Sequence, residues 1–143
     1  MSKSNYLENA WLGLLFLGTP IPNLADNAAV SPITTFYVGL HTADPDEGGT
    51  QATSETAYGG YVRKAVARNG AGWVLTGSTL QPLSDLVFNE CLSAPGAPIT
   101  HWSVGLSTSG AGQLLYSGPL DLPITLAVGR APVIKSATTI TED

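Results

Sequence analysis

The stretch "TTFYVGLHTADPDEGGT" (Thr34–Thr50) changes character halfway along. Its first part alternates, with Phe36, Val38 and Leu40 on one side, the period of a half-buried β-strand. Its second part packs His41, Asp44, Asp46 and Glu47 into seven residues. That cluster suits either metal or acid–base chemistry, or the polar turn that follows a buried strand. A metal site needs ligands converging from a rigid frame, and this spacing lacks the late bidentate glutamate of a calcium loop. Asp44-Pro45-Asp46 instead has the chemistry of a turn: the proline fixes φ and the aspartates bond nearby backbone. The segment therefore reads as strand then turn, with His41 packed beside the sheet.

The same period recurs downstream. "GGYVRKAVARN", "GWVLTG", "DLVFNECL", "ITHWSVGLST", "GQLLYSGPL", "LPITLAV" and "APVIKSATTI" are short β-type runs divided by Gly, Pro, Asp and Ser. In the clearest of them Trp102, Val104 and Leu106 alternate inward and are expected to share a core with Phe36, Val38 and Leu40. About eight strands without alternating helices predict a mainly β fold, an antiparallel jelly-roll-like β-sandwich. The chain reads as a single domain over 1–143, with the sandwich over 33–143. The polar end "TTITED" is an arm or a last edge strand.

Residues 1–19 hold the one helical pattern, "SNYLENAWLGLLFLGTP". Asn5 is the expected N-cap, with Glu8 three residues on as its capping-box partner. Leu7, Trp11, Leu14 and Leu15 share one face, and Gly18 with Pro20 ends the helix. Apolar residues at 7, 10, 11, 14, 15, 16 and 17 exceed one stripe, so the helix is expected outside the sandwich, holding a partner or a second copy. Without a basic n-region or a nearby small-residue cleavage site it reads as a retained helix, not a signal segment. Pro20 to Pro32 reads as a loop.

Composition narrows the function classes. Charged residues are 12% of the 143, about half the usual share, so much of the surface is expected to be covered in use. Sixteen glycines and ten prolines suit many turns. A net charge of -5 argues against a nucleic-acid partner, which needs a basic footprint. No run reaches the ~18 apolar residues of a membrane span. The single Cys91 makes neither an internal disulfide nor a zinc cluster and reads as an inert buried thiol.

Catalytic motifs are equally scarce. There is no G-x-S-x-G elbow. His101 falls on the strand face opposite Trp102, and both "GAG" triplets read as hairpin turns. No catalytic residue, cofactor or metal is expected, although triads are set by geometry rather than order. Arg63, Lys64 and Arg68 hold half the positive charge in six residues, as a charge-protected strand edge or as a docking patch for an acidic surface. The candidate partner interface is thus Tyr6, Leu7, Trp11, Leu14 and Phe16 of the helix with Arg63, Lys64 and Arg68.

Three segments in this order, "MSKSNYLENAWL", "FYVGLHTADPDEGG" and "GGYVRKAVA", resemble a family of small structural proteins of tailed bacteriophages, often tail-fibre-like. Related small β proteins act as cement, or decoration, proteins on the capsid. "ITHWSVGLSTSGAGQLLYSGPL" resembles the family's strand-turn-strand segment, whereas Pro22 to Pro32 and "LSDLVFNECLSAPGAP" are individual to this sequence. The resemblance implies no catalytic residues. It implies a virion protein made in the bacterial host cytoplasm. The preferred expectation is a capsid cement protein on the capsid surface, bound to the major capsid protein and to other copies of itself. The chain lacks the repetitive or coiled-coil shaft of a complete fibre. The alternative is a tail-fibre or receptor- and glycan-binding tail module, with Tyr58, Tyr61, Trp73 and Trp102 as an aromatic platform.

Overall fold

The structure, a computed structural model, describes residues 4–21 and 31–141; most of the expected Pro20–Pro32 loop and the last two residues lie outside them. Helix α1 (Asn5–Leu12) runs into a π-helical turn (Gly13–Leu17). The strands are β1 (Thr35–His41), β2 (Lys64–Ala67), β3 (Trp73–Thr76), β4 (Thr79–Pro82), β5 (Leu86–Val87), β6 (Ile99–Gly105), β7 (Leu114–Ile124), β8 (Val133–Ile134) and β9 (Ile140–Thr141). They form a four-stranded sheet in the order β2-β1-β6-β7, a three-stranded sheet β3-β4-β9 and a β5-β8 pair. The fold is mainly β with one N-terminal helix, and these sheets are consistent with a jelly-roll-like winding. "TTITED" supplies an edge strand, because β9 pairs with β4. The chain divides into two compact units of interleaved segments: Met1–Thr35, Ala67–Leu86 and Ile134–Asp143 form the first, Phe36–Val66 and Val87–Val133 the second.

In the first unit the cap lies one residue earlier than expected. Ser4, not Asn5, has the extended N-cap backbone, and its Oγ accepts the Leu7 N–H at 3.3 Å. With Ser4 at the cap, Glu8 is one position too far for a capping box, and it is buried instead. The inward stripe is Glu8, Leu12 and Phe16, spaced by four. Phe16 sets its ring edge against Trp73, centroids 5.0 Å apart and planes at 71°. Leu12, Phe16, Trp73 and Leu80 are all but fully buried. The helix is therefore a wall of this unit's core, while Tyr6, Leu7 and Trp11 remain exposed at 65%, 38% and 42%. At its end Gly18 turns left-handed (φ 67°), and the Gly18 and Thr19 N–H groups both reach the Gly13 carbonyl. Arg68 closes this end: its guanidinium donates to the Leu14 and Leu15 carbonyls, and to Ile33 at 3.1 Å. A cation at the carbonyl end of a helix also suits its dipole.

The second unit is organised by β1 against β6. The antiparallel register sets Leu40 opposite Trp102, Val38 opposite Val104, and Gly39 opposite Ser103. Phe36, Val38, Leu40, Trp102 and Val104 are buried as the alternation requires; Leu106 lies just past β6 and is only half-buried. The opposite face is buried too, with His41, Ser103 and Gly105 enclosed.

Two outcomes follow in chemical denaturation. Phe16→Ala should cost about 3–5 kcal/mol, the loss of a fully buried aromatic. Tyr6→Ser, on the exposed face, should change stability by less than about 0.5 kcal/mol. Deleting residues 1–17 should remove the protection of the β3 and β4 amides from hydrogen exchange, because Leu12 and Phe16 leave with the helix.

Candidate functional site

The most elaborate chemistry lies on the second face of the β1–β6 pair. The segment from Thr42 to Arg63 straps across it. It begins with the turn expected from Asp44-Pro45-Asp46: the Asp46 N–H donates to Asp44 Oδ1 at 3.0 Å, and the Gly49 N–H to the Asp46 carbonyl at 3.1 Å. The strap then returns along β1, with Thr42 N–H bonded to the Ser54 carbonyl at 2.8 Å and Thr56 N–H to the Leu40 carbonyl at 2.9 Å.

Beneath it His41 and Ser103 meet. The Thr53 carbonyl lies 2.8 Å from His41 Nδ1, and a carbonyl only accepts, so Nδ1 carries the proton. Nε2 of the neutral ring then accepts the Ser103 hydroxyl at 2.7 Å. This is the geometry of a nucleophile and its base, yet His41 is 0% and Ser103 1% exposed. A substrate cannot reach Oγ, and the third partner is a carbonyl rather than a carboxylate. Burial lowers the His41 pKa below 6.5, against the opposing pull of the Thr53 bond and of Glu55. The pair works here as packing that satisfies its own polar atoms.

Gln51 is the pin of the strap. It is fully buried; its Nε2 donates to the Tyr37 carbonyl at 3.3 Å and its Oε1 accepts the Ser107 N–H at 2.8 Å. Its backbone N–H reaches the Gly112 carbonyl at 3.0 Å. The pocket exists because two positions lack side chains. A Cβ on Gly105 would stand 2.1 Å from Gln51 Cδ, and one on Gly112 would stand 2.4 Å from Gln51 Oε1.

The strap ends in an ion pair. Arg63 Nε and Nη2 donate to the two oxygens of Glu55, each at 2.7 Å, and its remaining reach covers the Ser107 and Gly110 carbonyls at 2.9 and 2.7 Å. Tyr61 donates to Glu55 Oε1 at 2.8 Å and accepts the Leu40 N–H at 3.1 Å. Burial raises the Tyr61 phenol pKa, and that of Tyr58 to about 12, so both remain donors at neutral pH. A cleft of about 350 Å³ opens beside Glu55, Thr56, Tyr58, Tyr61, Arg63 and Ser109. Its charged groups already bond each other and the backbone, which makes it a braced wall rather than a set of hands for a ligand.

The eight interface residues expected from sequence do not make one surface. Tyr6, Leu7 and Trp11 are exposed on the helix, beside a groove of about 370 Å³ that Ala10, Leu17 and Leu75 help line. Leu14 is half-buried and Phe16 is core. Arg63 lies inside its ion pair, Arg68 on the helix end, and Lys64 half-buried on β2. The aromatic platform is likewise taken apart, because Trp73, Trp102 and Tyr58 are buried. Sequence reasoning missed the partnership of His41 with Ser103 and the roles of Gln51 and Glu55. The strand register that joins them is not written in local pattern; the glycines at 39 and 105 were the available signal.

Among known proteins, the family model described as "Podophage GP4 fiber I protein gp80" matches residues 2–141 of this chain. No curated protein matches it.

The strap makes three predictions. Glu55→Ala should cost about 3–5 kcal/mol, because it leaves the Arg63 charge buried and unpaired. Gly105→Ala should destabilise by at least about 1–3 kcal/mol through overpacking on Gln51. For His41 the unfolded chain binds the proton more readily than the native one. Its contribution is therefore complete above pH 6.5 and is lost as pH falls from 6.5 toward the lowered folded value. Urea midpoints measured across that window should decline with acid in the parent and flatten in His41→Asn.

Proposed function

The chain belongs to the podophage GP4 fiber I protein gp80 family, and from that membership we propose that it is a non-enzymatic structural component of a tailed-phage fibre, carried on the virion. The observation that carries the reading is the extent of the match, residues 2–141 of 143. It spans nearly the whole sequence rather than one segment. The family's description names a fibre and so favours the fibre over the capsid-cement role preferred within the resemblance.

The internal chemistry supports a structural part. The ion pair of Glu55 and Arg63, the pinned Gln51 and the sealed His41–Ser103 contact all hold a strap against a sheet. Each joins groups of the same unit and leaves none directed at a substrate. With Tyr58, Trp73 and Trp102 in cores, aromatic glycan binding loses the platform it would use.

Copy number and place decide the matter. Quantitative mass spectrometry of purified particles should give a few to a few dozen copies, and gold-labelled antibody should mark the tail. Hundreds of copies spread over the shell would overturn the fibre reading in favour of cement.

A further inference from the structure

We infer that β7 is an assembly edge, and that its occupant is β7 of a second copy of this chain, paired antiparallel about a two-fold axis at Ser117. The inference deepens the fibre reading by naming a surface through which copies join.

The hydrogen-bonding phase of the sheet can be followed strand by strand. Leu40 directs its N–H to the Tyr61 hydroxyl and its carbonyl to the Thr56 N–H, both on the side of β1 away from β6. Antiparallel ladders alternate, so Gly39 and His41 face β6, where they meet Ser103 and His101. Trp102 and Val104 must then bond toward β7, opposite Gly118 and Tyr116. Ser117 and Pro119, between and beyond these, point their backbone groups outward. β7 is the outermost strand of its sheet among the described residues, so the Ser117 N–H and carbonyl form an open edge.

Such edges are ordinarily blunted by charge, proline or bulges. From Cys91 to Leu120 the sequence contains no Asp, Glu, Lys or Arg, and no residue of β7 is fully buried. Proline is present, at the position where the missing N–H faces outward. A two-fold register limits that loss to one bond on each side of the axis. With Ser117 opposite Ser117 of the second copy, each donates to the other's carbonyl. Pro119 then stands opposite residue 115, where its carbonyl still accepts. Two irregularities bound the pairing: one between Ile99 and His101, which pair with Ile124 and Pro119, and one between Val104 and Gly105, which pair with Tyr116 and Leu114 and set Leu115 out of register. The guards thus limit length and register rather than forbid contact. The stretch of β7 around Ser117 is uncharged, and Asp121, the one charged residue of the strand, lies four positions from the axis, so a second copy brings no like charges together there.

Sedimentation velocity of the purified full chain over a concentration series tests the inference. The parent should be a dimer dissociating on dilution. Ser117→Pro removes the outward donor without touching the bonds to β6 and should weaken the dimer by about tenfold or more. Ser117→Lys, which sets two cations side by side at the axis, should do the same and serves if the proline variant does not fold. Glu47→Lys, a charge reversal on the strap turn, should leave the dimer unchanged. A parent that stays monomeric at every concentration overturns the inference, as does an oligomer indifferent to both Ser117 variants. Neither result touches the place of the protein on the particle, which the copy count measures separately.

Discussion

The antiparallel register of β1 and β6 is the constraint from which the second unit follows. Setting Leu40 against Trp102 and Val38 against Val104 fixes one apolar face. The same step places Gly39, His41, Ser103 and Gly105 on the other, since side chains alternate with period two. A shift by one residue would exchange the faces and set Trp102 beneath the strap. The glycines on that second face let a polar chain lie close to the sheet. Without them Gln51 has no room, and without Gln51 the backbone N–H of Ser107 loses its partner.

Using polar groups as the second layer is a costly way to cover a sheet. Removing an arginine and a glutamate from water is offset only when geometry is good and the remaining donors are satisfied. Here the guanidinium meets both carboxylate oxygens and two carbonyls, and the carboxylate takes the Tyr61 hydroxyl as well. Such a network adds little net stability over an apolar one of the same shape. Its effect is selectivity: the strap has one seat, because any displacement leaves several buried groups unpaired at once. The first unit solves the same problem with Phe16 against Trp73 and leaves its polar work to the helix ends, where Ser4 and Arg68 sit.

How much of this was legible depended on the range of the interaction. The alternation in Phe36-Val38-Leu40 and in Trp102-Val104 is local, and it named buried residues correctly. Asp44-Pro45-Asp46 is local and gave its turn. The helix was legible in extent, while its inward face was misread. Leu7 and Trp11 fit the same period as Leu12 and Phe16, and only the position of Trp73 decides which stripe turns inward. Glu8 on the buried side defeats a reading based on hydropathy alone. The burial of Arg63 was illegible for the same reason. A charge beside Lys64 looks like a protected edge unless Glu55, eight residues earlier in the chain, is known to fold back over it. The division into two interleaved units leaves no local trace, because it depends on which distant segments pair.

The internal pairs also change what the net charge means. Of six basic residues, Arg63, Arg68 and Lys135 have intramolecular partners: a carboxylate, the helix-end carbonyls, and Asp85 at 2.9 Å. Asp44, Asp46, Glu47, Glu90 and Asp121 are exposed. The -5 of the sequence is thus displayed mostly as acid on the surface, so identical chains repel one another over much of their area. Repulsion of that kind does not prevent assembly; it selects where assembly occurs. Contact is least opposed where charge is absent, and the longest uncharged run, Cys91 to Leu120, ends in the outermost strand of the four-stranded sheet. The described surface is thus divided between exposed acid and an uncharged stretch around Ser117.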